Sequence, residues 1–246
     1  MSRANIVRER VWEGLRKVAR PDSRFHLNFA EVIPDFEGSE AATERLVAAP
    51  FYQSGSYAFV TPDNGLADLR AQMLRDGRSL VVSTYGIYRG FFLLEPSAVP
   101  AGQERFAGWL DGLEYFGRPI TLAEVASRGR FDFMVTGASA VSMDGLRFGK
   151  GHGFFDLEWG MFTDIGIVDE ATPVAALVHD IQVIPDPLTP GPTDISVDYI
   201  FTPTRSVATQ RGVRPKGVKW DLLTPEQIAA TPPLQDLKRI QAAGQS

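Results

Sequence analysis

The feature that most constrains this chain is the stretch 147–156, which reads Arg-Phe-Gly-Lys-Gly-His-Gly-Phe-Phe-Asp. Its glycines alternate with Lys150 and His152, so the backbone can approach an anion without obstruction by Cβ atoms. Successive N–H groups in such a loop can form a concave anion site, and the helix predicted over 155–165 adds the positive end of its dipole. The pattern therefore predicts a phosphate-binding loop, although plain turns are also rich in glycine.

Short apolar runs on either side of a helical segment indicate the fold class. Residues 57–61 and 80–84 have strand-like sequences, and apolar residues recur at helical spacing between them. This order is typical of a βαβ unit with parallel strands. Further strands are predicted at 131–137, 174–178 and 199–202. We expect an α/β fold with a mainly parallel sheet and with ligands at the carboxyl ends of its strands.

The remaining elements are predicted from periodicity and capping residues. Helices are expected over 3–19, from a cap at Ser39 to about Ala48, after Thr121, after Thr224 and after 232–233. Residues 50–56 are predicted to form a loop, and 85–120 has no clear assignment. No linker or internal repeat interrupts the chain, so we expect one domain over 1–246, in which 211–246 is a C-terminal extension.

Composition excludes several classes of partner and chemistry. The net charge of the 246 residues is −5, which gives no global basic surface for nucleic acid. The chain has no cysteine, so a disulfide framework and thiolate chemistry are excluded. Its beginning lacks an apolar signal core, and no stretch reaches the apolar length of a membrane span. We therefore expect a cytoplasmic protein with no nucleic-acid or membrane partner, and the oligomeric state stays open.

The spacing of the glycines excludes the common phosphate-binding motifs. Only three residues separate Gly145 from the Gly149-Lys150 pair, where a Walker A loop has four, and no Ser or Thr follows. The alternation Gly-x-Gly-x-Gly also departs from the dinucleotide fingerprint. No Gly-x-Ser-x-Gly elbow is present, and three histidines do not favour a histidine-based metal site. Mg²⁺ held by carboxylates and substrate phosphates stays open.

Aromatic residues are dense over 85–120, and most of them are expected to pack beneath a long connection. Some could instead line a pocket for a flat heterocycle, because aromatic rings supply apolar contact and stacking. Tyr85 and Trp109 are the candidates for such a pocket.

The stretch 147–156 resembles the signature of the 5-formyltetrahydrofolate cyclo-ligase family, which reads roughly Arg-Leu-Gly-[Arg/Lys]-Gly-x-Gly-Tyr-Tyr-Asp. Further matches are Asp132, Gly137, Gly145, Thr172-Pro173-Val174, Gln182, Asp194, Asp198 and Thr202-Pro203. The chain is more similar still to the branch of methenyltetrahydrofolate synthetase domain-containing proteins. Features shared with this branch are Val11-Trp12, Asp156-Leu157-Glu158, Val178-His179-Asp180, Asp198-Tyr199-Ile200 and Trp220. The resemblance covers nearly the whole chain.

The resemblance implies a three-layer α/β/α fold like that of ribose-5-phosphate isomerase. It also implies a reaction with ATP and Mg²⁺, in which the formyl oxygen of 5-formyltetrahydrofolate is phosphorylated and ring closure releases phosphate. Lys150 and Arg147 are the implied catalytic cations. The implied ATP-binding positions are Arg8, Arg147, Gly149, Lys150, Gly151, His152, Gly153, Phe154 and Asp156. Asp156 is the candidate metal ligand and Asp194 a second one, although either could instead cap a helix or a turn.

Three departures from the family pattern concern the substrate side. Phe154 and Phe155 replace the Tyr-Tyr pair of the family, which removes a hydroxyl near the formyl group. Asp63-Asn64 stands where the family carries a substrate-facing Glu. The N-terminal Lys of the family is Ala4, which Arg3 could replace only by a shift of register. The ATP half of the site is therefore expected to be retained and the folate half altered.

The departures leave two classes of function open. The expected substrate pocket comprises Asn64, Tyr85, Trp109, Phe154 and Phe155. The expected ligand of this pocket is a reduced folate or a related heterocycle. A heterocycle other than folate would place the enzyme in another pathway, such as thiamine metabolism. The other class is a catalytically silent nucleotide- or folate-binding regulator.

Overall fold

A central eight-stranded sheet organises the computed structural model, which describes residues 3–210, 212 and 214–243. From one edge to the other the strands are β13 (Ser206–Ala208), β12 (Tyr199–Phe201), β10 (Val174–Leu177), β7 (Phe133–Thr136), β3 (Tyr57–Val60), β4 (Ser79–Ser83), β5 (Phe91–Leu94) and β6 (Arg118–Ile120). The strands from β12 to β4 pair in parallel, and β13, β5 and β6 add antiparallel pairings at the edges. The predicted α/β fold with a mainly parallel sheet is confirmed.

Two smaller sheets support the glycine loop and the N-terminal segment. One pairs β1 (Ala19–Arg20) with β2 (Asp35–Phe36). The other has the order β11-β8-β9 and comprises β11 (Val183–Ile184), β8 (Ala140–Ser142) and β9 (Arg147–Phe148). Because Arg147 and Phe148 are held in this second sheet, the chain enters the glycine loop from a fixed position.

Helices cover both faces of the central sheet. They are α1 (Arg3–Leu15), α2 (Ser39–Val47), α3 (Pro50–Ser54), α4 (Ala67–Arg75), α5 (Glu104–Ala107), α6 (Leu110–Phe116), α7 (Leu122–Ser127), α8 (Phe154–Asp164), α9 (Pro225–Ala230) and α10 (Pro232–Ala243). Side chains alternate across a strand, so Phe59 packs in one core with α8 and α10, whereas Val60 packs in a second core with α2 and α4. Two cores on opposite faces give the three-layer α/β/α architecture.

Local predictions were confirmed where a helix begins with a capping box. The Thr121 hydroxyl accepts the backbone N–H of Glu124, whose carboxylate in turn accepts the backbone N–H of Thr121. Thr224 and Gln227 form the same reciprocal pair at the start of α9. Side-chain capping therefore identified these two helix starts from sequence alone.

Several predictions were wrong in segments whose conformation depends on tertiary contacts. The helix predicted over 3–19 ends at Leu15, because the next residues form turns that lead into β1. Residues predicted as a loop at 50–56 include the helix α3, which begins with Pro50. Ser39 is the first residue of α2 rather than its cap, and Gly38 occupies the cap position with a φ of 83°. The segment without assignment, 85–120, supplies the antiparallel strands β5 and β6.

The C-terminal segment packs on the rest of the molecule over its described residues. Leu234 and Leu237 of α10 are buried in the core that contains α8. Trp159 donates its indole N–H to the carbonyl of Pro215 at 2.8 Å. Residues 211, 213 and 244–246 of the predicted extension lie outside the described residues. Over the described ranges, no helix combines the length and apolar character that crossing a membrane requires.

Candidate functional site

The glycine loop connects β9 to α8 through two backbone conformations that favour glycine. Gly151 has a φ of 114° and Gly153 a φ of 67°, and Gly153 is the residue that caps α8. Residues with a Cβ atom rarely adopt such angles, so glycine is required here for the turn itself. The first turn of α8, where backbone N–H groups have no partner further back in the helix, therefore begins directly at the loop, where the anion site is predicted.

Two cavities adjoin this loop on opposite sides. The larger one, here called the outer cavity, has a volume of about 540 Å³. Its lining includes the glycines of the loop and the charged or ionisable residues Arg8, His152, Asp156, Asp194 and Lys219. The smaller one, the inner cavity, has a volume of about 60 Å³. Its lining includes Asp63, Ser83, Tyr85, Lys150, Phe155 and Glu158. Gly149, Gly153 and Asp156 line both, so the loop is the wall between them.

Arg8 reaches the loop from α1. Its Nε donates to the carbonyl oxygen of Gly149 at 2.7 Å, and its guanidinium lies over the ring of Phe148 at 5.4 Å from the centroid. Burial lowers the pKa of the Arg8 guanidinium, but an arginine with this partial exposure stays charged at neutral pH. The structure thus brings the ATP-binding candidate Arg8 to the outer cavity. The side chains of Arg3 and Ala4 lie outside the described residues.

Lys150 lies on the inner side of the loop. Its Nζ donates to the backbone carbonyl of Glu31 at 2.8 Å and to the hydroxyl of Tyr85 at 2.8 Å. Burial lowers the pKa of the Lys150 ammonium. Lys150 and Tyr85, which were predicted separately as an ATP-binding and a substrate-pocket residue, are therefore in direct contact.

Arg147 and Asp156 form a buried ion pair behind the loop. Arg147 Nη2 lies 3.2 Å from Asp156 Oδ1, and the two side chains are 3% and 9% exposed. Asp156 Oδ1 also accepts the backbone N–H of Ile195 at 3.1 Å. Burial raises the pKa of the Asp156 carboxyl, against the opposing effect of Arg147. The pair fixes the end of β9 to the first turn of α8, and it holds the loop between them.

Asp156 and Asp194 are the two acidic candidates for a magnesium site, and both line the outer cavity. The charge of Asp194 raises the pKa of Asp156, which indicates that the two carboxyl groups are close enough to interact. Asp194 Oδ2 accepts the backbone N–H of Gly191 at 2.6 Å, so it also stabilises a turn. No group of three or more His, Cys, Asp or Glu residues with metal-binding geometry occurs among the described residues. Two carboxylates beside a phosphate site fit Mg²⁺, which takes its remaining ligands from water and phosphate.

Two of the predicted substrate-pocket residues lie elsewhere. Trp109 is 49% exposed at the start of α6 and lines neither cavity. Asn64 donates its amide N–H to Asp22 Oδ2 at 2.6 Å, and Asp63 lines the inner cavity in its place. Asp63 and Asn64 are adjacent, and alignment to the family motif does not show which of the two side chains lines the cavity.

Glu158 and Ser83 are cavity residues that the sequence analysis missed. Glu158 is 2% exposed, and Ser83 ends β4 with 1% exposure. A signal for Glu158 was present, because α8 is otherwise apolar between Asp156 and Thr163 and a charged residue on a buried helical face requires a reason. Ser83 had no such signal, since serine is common at strand ends.

Comparison with known proteins identifies the family of this chain. The model of the 5-formyltetrahydrofolate cyclo-ligase family matches residues 2–203, a range that contains Arg8, the glycine loop and both carboxyl candidates. The chain belongs to the 5-formyltetrahydrofolate cyclo-ligase family. This membership confirms the resemblance described above.

Curated relatives within this family carry the name of the branch identified from sequence. The chain is 34% identical over 244 residues to the human methenyltetrahydrofolate synthase domain-containing protein and 32% identical over 237 residues to that of Mus musculus. These matches cover 97% and 94% of this chain. The chain spans about six tenths of the length of each relative, 62% in both cases.

A solved structure supports the fold. The NMR structure of the 5,10-methenyltetrahydrofolate synthetase of Aquifex aeolicus aligns with a TM-score of 0.52 at 18% identity, over 89% of this chain and 99% of that protein. At this identity the likeness shows a shared fold.

Proposed function

We propose that this protein is an ATP- and Mg²⁺-dependent cyclo-ligase-type enzyme that phosphorylates a formyl or amide oxygen and then closes a ring. Its substrate is 5-formyltetrahydrofolate or a related heterocycle. One observation carries the proposal: a glycine loop with cations on both sides separates a wide cavity from a narrow one. Such a wall suits a reaction in which a phosphoryl group passes between two substrates.

The outer cavity is the proposed ATP site. Its volume of about 540 Å³ lies in the range of ligand sites for nucleotide-sized molecules. Arg8 supplies a charged donor, and the amides at the start of α8 supply donors with the helix dipole behind them. His152 and Phe154 stack on each other, with ring centroids 5.4 Å apart, at the same wall.

Asp156 and Asp194 would hold Mg²⁺ at this site. Bound Mg²⁺ neutralises charge on the transferring phosphoryl group and orients the phosphate oxygens. Asp156 would offer the carboxylate oxygen that does not accept from Arg147, because Oδ1 already has two donors. Arg147 then acts as a positioning residue, since its ion pair favours the carboxylate form of Asp156 against the effect of burial and holds the side chain in place.

Lys150 is the proposed catalytic cation. It lines the inner cavity and belongs to the loop that separates the two cavities. An ammonium there would stabilise the negative charge that develops on the transferring phosphoryl oxygens. To reach a phosphate, Lys150 must exchange its contact with the Glu31 carbonyl or with the Tyr85 hydroxyl. In the reaction the formyl oxygen bonds to the γ-phosphorus as the bond to ADP breaks. A second amine nitrogen of the same substrate, outside the existing ring, then attacks the formyl carbon and loses its proton, and phosphate leaves as the new ring closes.

The test combines calorimetry with phosphate release. Titration with MgATP measures nucleotide binding, and phosphate is then measured with 5-formyltetrahydrofolate and with a panel of formylated or amide-bearing heterocycles. We expect MgATP to bind and at least one substrate to cause phosphate release. Arg8→Ala should weaken MgATP binding by about tenfold, the effect of one charge-assisted hydrogen bond. Arg75→Ala, an exposed arginine on α4, is the matched control. Absence of MgATP binding would overturn the proposal.

A second candidate is a catalytically silent nucleotide- or folate-binding regulator. Phe154 and Phe155 favour it, because neither offers the hydroxyl that the family signature places near the formyl group. The same phosphate assay separates the two candidates. MgATP binding without phosphate release on any member of the panel would favour the regulator, whereas release on a heterocycle other than the folate would indicate an enzyme of another pathway, such as thiamine metabolism.

A further inference from the structure

One wall of the outer cavity is built by a part of the chain that the family model does not match. The family model ends at residue 203, and the glycine loop and Arg8 lie within its range. Residues from the segment 215–231, here called the C-terminal wall, also line the cavity, among them Val218, Lys219, Leu222, Leu223 and Gln227. What this wall contributes to binding is therefore additional to what the matched range provides.

The C-terminal wall is fixed to α8, the helix that begins at the glycine loop. The indole N–H of Trp159 donates to the carbonyl of Pro215 at 2.8 Å. The Thr163 hydroxyl accepts the backbone N–H of Gly217 at 2.9 Å. On the other side of the wall, α10 is buried in the core that also contains α8. Because the loop and the wall are attached to the same helix, a ligand that binds at the loop meets the wall in a defined position.

Apolar side chains surround this part of the cavity although the fold leaves them exposed. Leu222 is 51% exposed, and Tyr88, from the turn between β4 and β5, is 62% exposed. Both line the outer cavity, as do Val218 and Leu223. A single exposed apolar side chain is ordinary, but several around one cavity mark a surface that a ligand covers.

Gln227 supplies a directed hydrogen-bond donor on the same wall. Its Oε1 accepts the backbone N–H of Thr224 at 2.8 Å in the capping box of α9. This bond orients the planar amide and assigns its oxygen to the cap, so the NH2 group is the half that remains for a ligand. No described residue accepts a hydrogen bond from this NH2 group.

The loop and the C-terminal wall suit the two ends of a nucleotide. The start of α8 and Arg8 suit the phosphates. A nucleoside base is flat, has apolar faces that stack on aromatic rings, and carries acceptor nitrogens on its edge. The cavity volume of about 540 Å³ is that of a site for a complete small-molecule ligand rather than for a phosphate chain alone.

We propose that the C-terminal wall binds the base of the nucleotide, and that Leu222 and Gln227 are the residues by which the outer cavity selects a nucleotide over a bare polyphosphate. This inference rests on the proposed function, in which the outer cavity binds ATP. Leu222 and Tyr88 cover the faces of the base, and Gln227 donates to an acceptor nitrogen on its edge.

The test compares two ligands that share the phosphate chain and differ in the nucleoside. Calorimetry measures the dissociation constants of MgATP and of magnesium tripolyphosphate for the whole protein. Their ratio isolates the contribution of the nucleoside. We expect the unmodified protein to bind MgATP about tenfold more tightly. In Leu222→Ser this ratio should fall to about threefold, because apolar cover of the base is lost, while tripolyphosphate binding is unchanged.

Three further variants separate recognition from other effects. Leu222→Met keeps the apolar volume and should retain the tenfold ratio. Gln227→Glu keeps an acceptor for the cap and removes the donor, so the ratio should fall, and its added charge should weaken both ligands alike. Met143→Ser is the matched control, because Met143 is also apolar and 40% exposed but lines neither cavity, and it should leave the ratio unchanged.

An unchanged ratio in either Leu222→Ser or Gln227→Glu would overturn the proposal, as would equal binding of the two ligands by the unmodified protein. In these cases MgATP still binds, so the proposed function would stand. Absence of binding of both ligands would instead overturn the proposed function and this inference with it.

Discussion

The outer and inner cavities differ in charge and in size although the same loop separates them. The outer cavity is wide, and Arg8, Lys219 and the N-terminus of α8 place positive charge on its wall beside the carboxyl groups of Asp156 and Asp194. The inner cavity is narrow, and its carboxyl groups outnumber the cations that remain free to pair with them. The first suits a polyanion and the second a neutral group.

This difference indicates that the glycine loop accounts for the outer cavity but not for the inner one. Backbone donors and a helix dipole bind phosphate whatever the second substrate is. The inner half depends on side chains from β4, α8 and the turn after β3, which are distant in sequence. We therefore expect substitutions in this half to change which substrate is accepted and to leave the glycine loop unaffected.

The largest effect is expected from the buried ion pair on which both cavities depend. Arg147→Met leaves Asp156 buried without its cation and should lower the free energy of unfolding by about 3–5 kcal/mol. Chemical denaturation measures this loss. The matched control is Arg130→Met, whose partner Asp169 and own side chain are both 53% exposed, and which should cost less than about 1 kcal/mol. Equal losses in the two variants would contradict the structural role of the Arg147–Asp156 pair.

The second effect concerns Glu158 and pH. The folded protein holds its proton up to a pKa of about 8, whereas the unfolded chain releases it near 4.5, so the free energy of unfolding falls as pH rises between these values. Glu158→Gln removes this dependence. The free energy of unfolding of the variant minus that of the unmodified protein should therefore increase by on the order of 3 kcal/mol between pH 5 and pH 8. Denaturation at several pH values measures the difference, and Glu44→Gln, at an exposed glutamate on α2, should show none. A difference that is constant with pH would indicate an ordinary, ionised Glu158.

The third effect is expected at Lys150, in the loop that separates the two cavities. Lys150→Ala should reduce phosphate release by about 100-fold, because a preorganised cation at the transferring phosphoryl group is lost. MgATP binding, measured separately, should change much less, because Arg8 and the loop amides remain. Lys17→Ala, an exposed lysine beyond α1, serves as the control for removal of a positive charge. Phosphate release at the unmodified rate would remove Lys150 from the catalytic role.

The smallest effect is expected at the helix cap. Gly153→Ala should destabilise the fold by about 1 kcal/mol, because its φ of 67° is strained for a residue with a Cβ atom. The nearest atom to such a Cβ is Asp156 Oδ2 at 4.0 Å, so no steric clash adds to this cost. Gly166→Ala, with a φ of 73° and nothing within 4 Å, is a matched glycine outside the site and should cost the same. If Gly153→Ala also weakens MgATP binding and Gly166→Ala does not, the cap is part of the phosphate site.

Sequence reasoning succeeded where the signal was local. The strand before α4, the strand after it and the glycine loop before α8 were predicted from runs of adjacent residues, and the capping boxes at Thr121 and Thr224 were predicted from spacing. It failed for β5 and β6, whose antiparallel pairing depends on partners elsewhere in the sheet. It also failed for Trp109, because density of aromatic residues does not indicate which of them face a cavity.

The sequence alone predicted an anion site at residues 149–153 and located the start of α8 beside it, because alternate glycines and an adjacent helix start are properties of neighbouring residues. It also determined the α/β class through the order of its apolar runs. Only the tertiary structure decided that Asp63 rather than Asn64 lines the inner cavity and that Lys150 contacts Tyr85. The protonation of Glu158 was decided in the same way, since the pKa of a carboxyl depends on burial and on whether nearby cations are already paired.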